Sequence, residues 1–155
     1  MRKVTLCFLI DGDRLCLAMK KRGFGAGKWN GVGGKVNEGE NVKEAAVREI
    51  KEEIDVTVRP RDLEDAGNIR FYFKERPRWN QNVHIFLIKK WSGEPKETEE
   101  MKPKWHSVNS LPYNSMWVDD PHWLPKVIAG KKIEGEFHFT QGGAEVEKFE
   151  VREIA

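Results

Sequence analysis

The sequence predicts a mixed α/β (α+β) sandwich in which helices pack on the faces of β-sheets. Three observations predict it: apolar runs of strand length recur along the chain, only two stretches read as helices, and the order is strands, helix, strands, helix, strands. No internal repeat, low-complexity segment or linker divides the 155 residues. One domain over residues 1–155 is therefore expected, large enough to bury roughly two thirds of its unfolded surface.

Each element has a local reason. Val4 to Ile10 and Leu15 to Met19 are apolar runs separated by Asp-Gly-Asp, a hairpin signal. A glycine-rich segment follows, GFGAGKWNGVGG, with six of the 14 glycines within residues 23–34. Val42, Ala45, Ala46, Ile50 and Ile54 then recur at three- and four-residue spacing, the buried stripe of a helix. Strands are expected at Asn68 to Lys74, at Val83 to Trp91 and near Lys104 to Val108. A second helix is expected over Pro121 to Ala129, capped by Asp119 or Asp120 and stopped by Gly130. Two last strands, Ile133 to Thr140 and Ala144 to Arg152, flank Gln-Gly-Gly.

Composition narrows the function classes. Hydrophobic residues make up 39% of the chain without an apolar run of about 18 residues, which predicts a soluble protein with no membrane partner. Lys plus Arg number 27 against 25 for Asp plus Glu, too even a balance for a protein that grips polymeric nucleic acid by its phosphates. The opening MRKVTLCFLI has a basic tip before an apolar run, but the run is short, contains Thr5 and ends at Asp11 without a small-residue cleavage site. It reads as a strand, and the protein as cytoplasmic. Cys7 and Cys16 fit that compartment as reduced core residues, and with no CxxC spacing and scattered histidines a zinc site is not expected.

Two features carry chemistry. The glycine-rich segment brings backbone N–H groups within reach of phosphate, yet it matches neither GxxxxGK[ST] nor GxGxxG, and an ordinary connection is the alternative reading. The helix carries Glu49, Glu52 and Glu53 on one flank. Like charges at that spacing cost roughly 0.2–0.5 kcal/mol per pair. They are tolerated when solvent screens them or when a cation lies between them.

From Gly34 to Val56 the chain reads GKVNEGENVKEAAVREIKEEIDV. This resembles the Nudix box of the Nudix hydrolase superfamily. Gly34, Glu40, Arg48, Glu49, Glu52 and Glu53 fall on its fixed positions, a roughly one-in-ten-million coincidence at average residue usage. Asp55 departs from it, standing where the pattern closes on Gly. The job there is to end the helix in the left-handed region, which Asp tolerates, so only a small stability cost is expected.

The resemblance implies a Nudix fold, mixed β-sheets sandwiched by two helices. It also implies Mg²⁺ (with Mn²⁺ as a substitute) bound by Glu49 and Glu53, helped by Glu52, the Gly34 carbonyl and a glutamate outside the box. Glu100 is the candidate for that last ligand, with Glu97 and Glu99 close by. Arg48 would orient Glu52, and Glu53 or Glu52 would act as base.

KKRGFGAGKWNGVGGKV, EMKPKW and MWVDDPHW further resemble the oxidised purine nucleoside triphosphatase branch, the 8-oxo-dGTP diphosphatases, most weakly at ERPRWNQN. That likeness implies a small-molecule nucleotide substrate and a monomer. Asn30, Asp119 and Asp120 would read the base, Phe24, Phe71 and Trp117 would line or stack on it, and Thr5 and Lys20 would lie near the sugar and phosphates. Two adjacent carboxylates in an apolar pocket cannot both ionise cheaply, so one would hold a proton and donate to a purine carbonyl while the other accepts. The plain alternatives are a helix cap for the aspartates, packing for the tryptophans and a solvated basic patch for Lys20. At the level of function, the alternatives are another nucleoside diphosphate derivative as substrate, or a nucleotide-binding module without turnover.

Overall fold

The computed structural model describes residues 1–155. Its strands are β1 (Arg2–Asp11), β2 (Arg14–Lys20), β3 (Trp29–Asn30), β4 (Leu63–Phe73), β5 (Gln81–Ile88), β6 (Met101–Ser107), β7 (Lys132–Thr140) and β8 (Glu145–Ile154). The helices are α1 (Val42–Ile54) and α2 (Asp120–Ile128). Every expected element is present; β4 begins five residues earlier than expected (63 against 68) and β5 ends three earlier (88 against 91).

The strands run in the order β3-β2-β1-β5-β4-β7-β8, with β6 on β2. β1 lies parallel to β5, and β4 parallel to β7, while the other pairs are antiparallel. β1 and β2 pair only at Ile10–Leu15 and Asp11–Arg14 before diverging. That opening admits the glycine-rich segment, where Val32 bonds Cys7 and Gly34 bonds Thr5.

Alternation along the strands builds two cores. Phe8, Leu15, Leu17, Ile85 and Leu87 face one way, into a cluster with Trp123, Leu124 and Val127 of α2. Cys7, Leu9, Cys16, Ala18, Phe86 and Ile88 face the other, against Ala46, Ile50 and Ile54 of α1. Both cysteines are buried and free. No helix is long and apolar enough to cross a membrane.

Local chemistry fixes α1. Asn41 accepts the Glu44 N–H at 2.9 Å and Glu44 accepts the Asn41 N–H at 3.0 Å, a capping box worth about 1 kcal/mol that anchors the register of the glutamates. Asp55 ends the helix in the left-handed region (φ 57°, ψ 38°), doing the job of the missing glycine. Its carboxylate turns to Lys51 and Lys96, not to the other acids. α2 begins without a side-chain cap, contrary to the capping reading of Asp119 and Asp120. Gly130 (φ 88°) follows its end.

Candidate active site

The site has two halves divided by a strip of backbone, Gly33–Gly34. Behind the strip lies the acidic flank of α1. Glu53 is buried, and the Gly33 N–H donates to its Oε1 at 2.8 Å. Burial pushes its pKa up to about 8; Glu49 and Glu100 add to the rise, while the Gly33 N–H and Lys20 oppose it. Glu49 lies so close to the strip that a Cβ on Gly34 would stand 2.5 Å from its carboxyl carbon. Only glycine lets backbone and carboxylate meet there.

Arg48 holds this flank together. It grips Glu40 with two bonds, Nε at 2.8 Å and Nη2 at 2.9 Å, and donates to Glu49 at 2.8 Å and to the Lys35 carbonyl at 3.0 Å. Its hydrogen bonds bring Glu40 down to about 2. The contact with Glu52 is long, 3.4 Å, and Glu52 is exposed. Arg48 therefore meets Glu52 as expected, but more loosely than it holds Glu40 and Glu49. A two-pronged bond to a sheltered carboxylate prevails over a single one to a solvated group.

In front of the strip lies a cavity of about 330 Å³. Thr5, Lys20, Phe24, Asn30, Phe71, Trp117, Asp119 and Asp120, the eight expected substrate residues, all line it, as does Gly34. Its floor is the face of the sheet that carries Val4, Leu6, Phe71, Phe73, Val83 and Phe139. Phe24 closes it from the glycine-rich loop, tilted on Trp117 (5.0 Å) and Trp79 (4.2 Å). The Asn30 oxygen accepts the Gly31 N–H at 2.8 Å, which leaves its NH₂ free to donate.

At one end sit Asp119 and Asp120, 3% and 2% exposed. The Trp123 indole N–H donates to Asp119 at 2.7 Å, whereas Oδ2 of Asp120 has no partner at all. Burial pushes Asp119 up to about 6, against the pull of the Trp123 N–H. Burial, and then the charge of Asp119, push Asp120 well above the usual carboxylate range. Two carboxyls sharing one buried end of the cavity resist ionising together, so the pair holds a proton more tightly than free carboxylates do.

A profile of the NUDIX domain matches residues 1–127. The chain belongs to the Nudix family. It is 44% identical over 136 residues to the "oxidized purine nucleoside triphosphate hydrolase" of Danio rerio, covering 88% of this chain and 85% of that one. The protein of the same name from Mus musculus is 40% identical over 153 residues, 99% of this chain and 96% of that one. A crystal structure described as a mutator MutT protein from Bacillus halodurans superposes with a TM-score of 0.82 at 26% identity, covering 97% of each chain.

Within this Nudix chain Thr5 and Glu100 have partners that the sequence did not reveal. The Thr5 hydroxyl is engaged by Gly34, donating to its carbonyl at 3.3 Å and accepting its N–H at 3.2 Å, so it pins the strip while still lining the cavity. Glu100 is exposed and paired with Arg22 at 2.6 Å, and Glu97 is paired with Lys21. No three acidic side chains converge as a ready metal-ligand set.

The donors nonetheless fit a hard divalent ion: the carboxylates of Glu49, Glu52 and the buried Glu53, and the backbone of Gly34 beside Glu49. Family membership carries the general use of divalent cations. Sequence reasoning missed Lys28, Phe73, Gln81 and Phe139 as lining residues. Two-residue alternation from Phe71 would have found Phe73, and Phe139 is its partner across the sheet, but no signal marks Lys28 or Gln81.

Proposed function

We propose that this Nudix hydrolase is Mg²⁺-dependent and cleaves oxidised purine nucleoside triphosphates, of the 8-oxo-dGTP and 2-hydroxy-dATP type, to the monophosphate and pyrophosphate, thereby sanitising the nucleotide pool. The observation that carries the reading is the buried Asp119–Asp120 pair, with one carboxylate oxygen unpartnered, opening on an aromatic cavity. Such a pair offers one donor and one acceptor side by side, which matches the carbonyl and N–H edge of a guanine. The names of the Danio rerio and Mus musculus relatives support the same substrate class.

In this reading Asp120 donates to the six-position carbonyl, Asp119 accepts from the adjacent N–H groups, and the Asn30 amide adds a donor. Moving the proton between the aspartates would fit an adenine analogue into the same pocket. Phe71, Trp117 and Phe24 hold the ring, and Lys20 lies toward the phosphates. Glu49, Glu52, Glu53 and the Gly34 carbonyl would hold Mg²⁺, or Mn²⁺ in its place, with Glu100 joining once freed from Arg22. Bound there, the ion neutralises the polyphosphate and acidifies a water. Glu53, or Glu52, takes the water proton as the water oxygen bonds to phosphorus and the bridging α–β oxygen departs, one water consumed per bond broken. Arg48 holds Glu40 and Glu49 in place and touches no reacting atom.

The only partner this chemistry needs is the nucleotide, and we take the chain to act as a cytoplasmic monomer. The test is pyrophosphate release from 8-oxo-dGTP and from dGTP, each with and without Mg²⁺. The reading requires strict dependence on the metal and faster turnover of the oxidised nucleotide; equal rates would leave a hydrolase without the sanitising role.

A further inference from the structure

The glycine-rich loop between β2 and β3 grips Trp117. Gly25 (φ +86°) runs so close to the indole that a Cβ there would stand 3.2 Å from Cζ2. On the other edge Gly143 (φ +99°), from the turn between β7 and β8, would place a Cβ 2.9 Å from Cζ3. The indole is thus slotted between two backbones whose conformation and closeness both call for glycine. Bonds from the Ala26 N–H to Gly23, the Gly27 N–H to Lys20 and the Lys28 N–H to Gly25 hold the loop in that shape.

Lys28 completes the slot. Its ammonium lies 5.4 Å from the Trp117 ring centroid, and the side chain lines the cavity. Lys21 and Arg22 nearby are paired with Glu97 and Glu100, but Lys28 has no carboxylate partner. Of the three lysines that line the cavity, Lys20, Lys28 and Lys35, the first two mark its opposite ends. The charge of Lys20 is felt at Glu53 and Glu100, on the metal side, and that of Lys28 at Asp120, on the base side.

The geometry points to Lys28 as a positioning residue for base selection: laid over the Trp117 ring, its ammonium fixes the plate on which the purine stacks and keeps positive charge at the base end of the cavity. The inference rests on the proposed function. A purine oxidised at position 8 gains a carbonyl oxygen and carries N–H where guanine has the N7 acceptor, so an ammonium that meets the new oxygen favours the oxidised form over the ordinary one. A lysine that merely bound phosphate would serve both alike.

The experiment is a double-mutant cycle on Lys28→Met and Trp117→Leu, reading pyrophosphate release from 8-oxo-dGTP and dGTP. Lys28→Met is expected to lower kcat/KM for 8-oxo-dGTP roughly three- to tenfold, the range of a partly desolvated cation–π contact, mainly through KM. dGTP should change less than about twofold, and Lys28→Arg should recover most of the loss because guanidinium also stacks on indole. In the Trp117→Leu background the lysine substitution should add little. Equal losses for both nucleotides, or losses that add fully to those of Trp117→Leu, would overturn the inference alone. A wild-type chain that released no pyrophosphate from either nucleotide would overturn the functional reading and this inference with it.

Discussion

Replacing Asp119 with Asn should stabilise the protein while damaging its base selection. Asp119 ionises at about 6 in the fold against an ordinary value of 3.8, because burial disfavours its charge. The folded pKa lies above the unfolded one, so the stability associated with this group is fully present below about pH 4, falls as pH rises through about 6, and stays level above that. A displacement of roughly two pH units corresponds to about 3 kcal/mol. Asparagine keeps the shape and still accepts the Trp123 N–H, but it never ionises. Urea unfolding at about pH 8 should therefore show the variant more stable by about 1–3 kcal/mol, a gain that vanishes near pH 4. Pyrophosphate release should show the opposite: a higher KM for 8-oxo-dGTP and a smaller preference over dGTP. A variant that is less stable at alkaline pH, or a stability difference that ignores pH, would refute burial as the dominant influence on the pair. An unchanged preference among bases would refute the pocket assignment.

Glu53→Gln should reduce turnover roughly 10²–10⁴-fold with little effect on nucleotide binding, measured by single-turnover kinetics alongside calorimetry with an uncleavable analogue. Arg48→Lys replaces a two-pronged grip on Glu40 by a point charge, so Mg²⁺ affinity measured by calorimetry should fall several-fold even though the net charge is unchanged. Asp55→Gly relieves a left-handed backbone (φ 57°) and gives up only exposed ion pairs with Lys51 and Lys96. It should gain about 0.5–1 kcal/mol, a rise in Tm of roughly 1–4 °C by calorimetry. Thr5→Val removes both hydroxyl bonds to Gly34 at nearly constant volume. It should lower kcat more than it raises KM, measured by steady-state kinetics, because the strip between nucleotide and carboxylates loses its anchor.

Most of the architecture could be read in the residues because it rests on short-range causes. The alternation of Cys7, Phe8 and Leu9 assigns β1 to two cores, and the spacing of Ala45, Ala46, Ile50 and Ile54 buries one face of α1. All eight expected pocket residues meet in one cavity. What spacing along the chain leaves out is how side chains divide themselves among partners. Arg48 reaches Glu52, four residues on, but its shorter bonds go to Glu40, eight residues back in the preceding loop, which presents two oxygens in a sheltered place. Glu100 is taken by Arg22 across the β2–β6 pairing, and Asp119, an apparent helix cap, is claimed by the Trp123 indole. Such choices depend on distances between segments remote in sequence, which spacing along the chain does not encode. Gln81 was missed for a related reason: it belongs to ERPRWNQN, where the family likeness is weakest, and only the sheet register places it between Arg2 and Phe71.

The Gly33–Gly34 strip explains why the two halves of the site need each other's geometry. Its Gly33 N–H holds Glu53 at 2.8 Å, its Gly34 backbone abuts Glu49, and its other face forms part of the cavity wall. Thr5 of β1 fixes it from below through Gly34. In the proposed reading, a base seated against Asp119 and Asp120 and a triphosphate reaching the α1 carboxylates would both be measured against the same two residues of backbone. A strip with this task cannot carry side chains, since a Cβ on Gly33 would stand 2.0 Å from the Thr5 carbonyl oxygen and one on Gly34 would strike Glu49. Burial of Glu53 beside that backbone raises its pKa to about 8, and a cation bound there would favour its charged form. At the other end of the cavity, the unpartnered Oδ2 of Asp120 leaves a buried carboxyl open to a donor or acceptor.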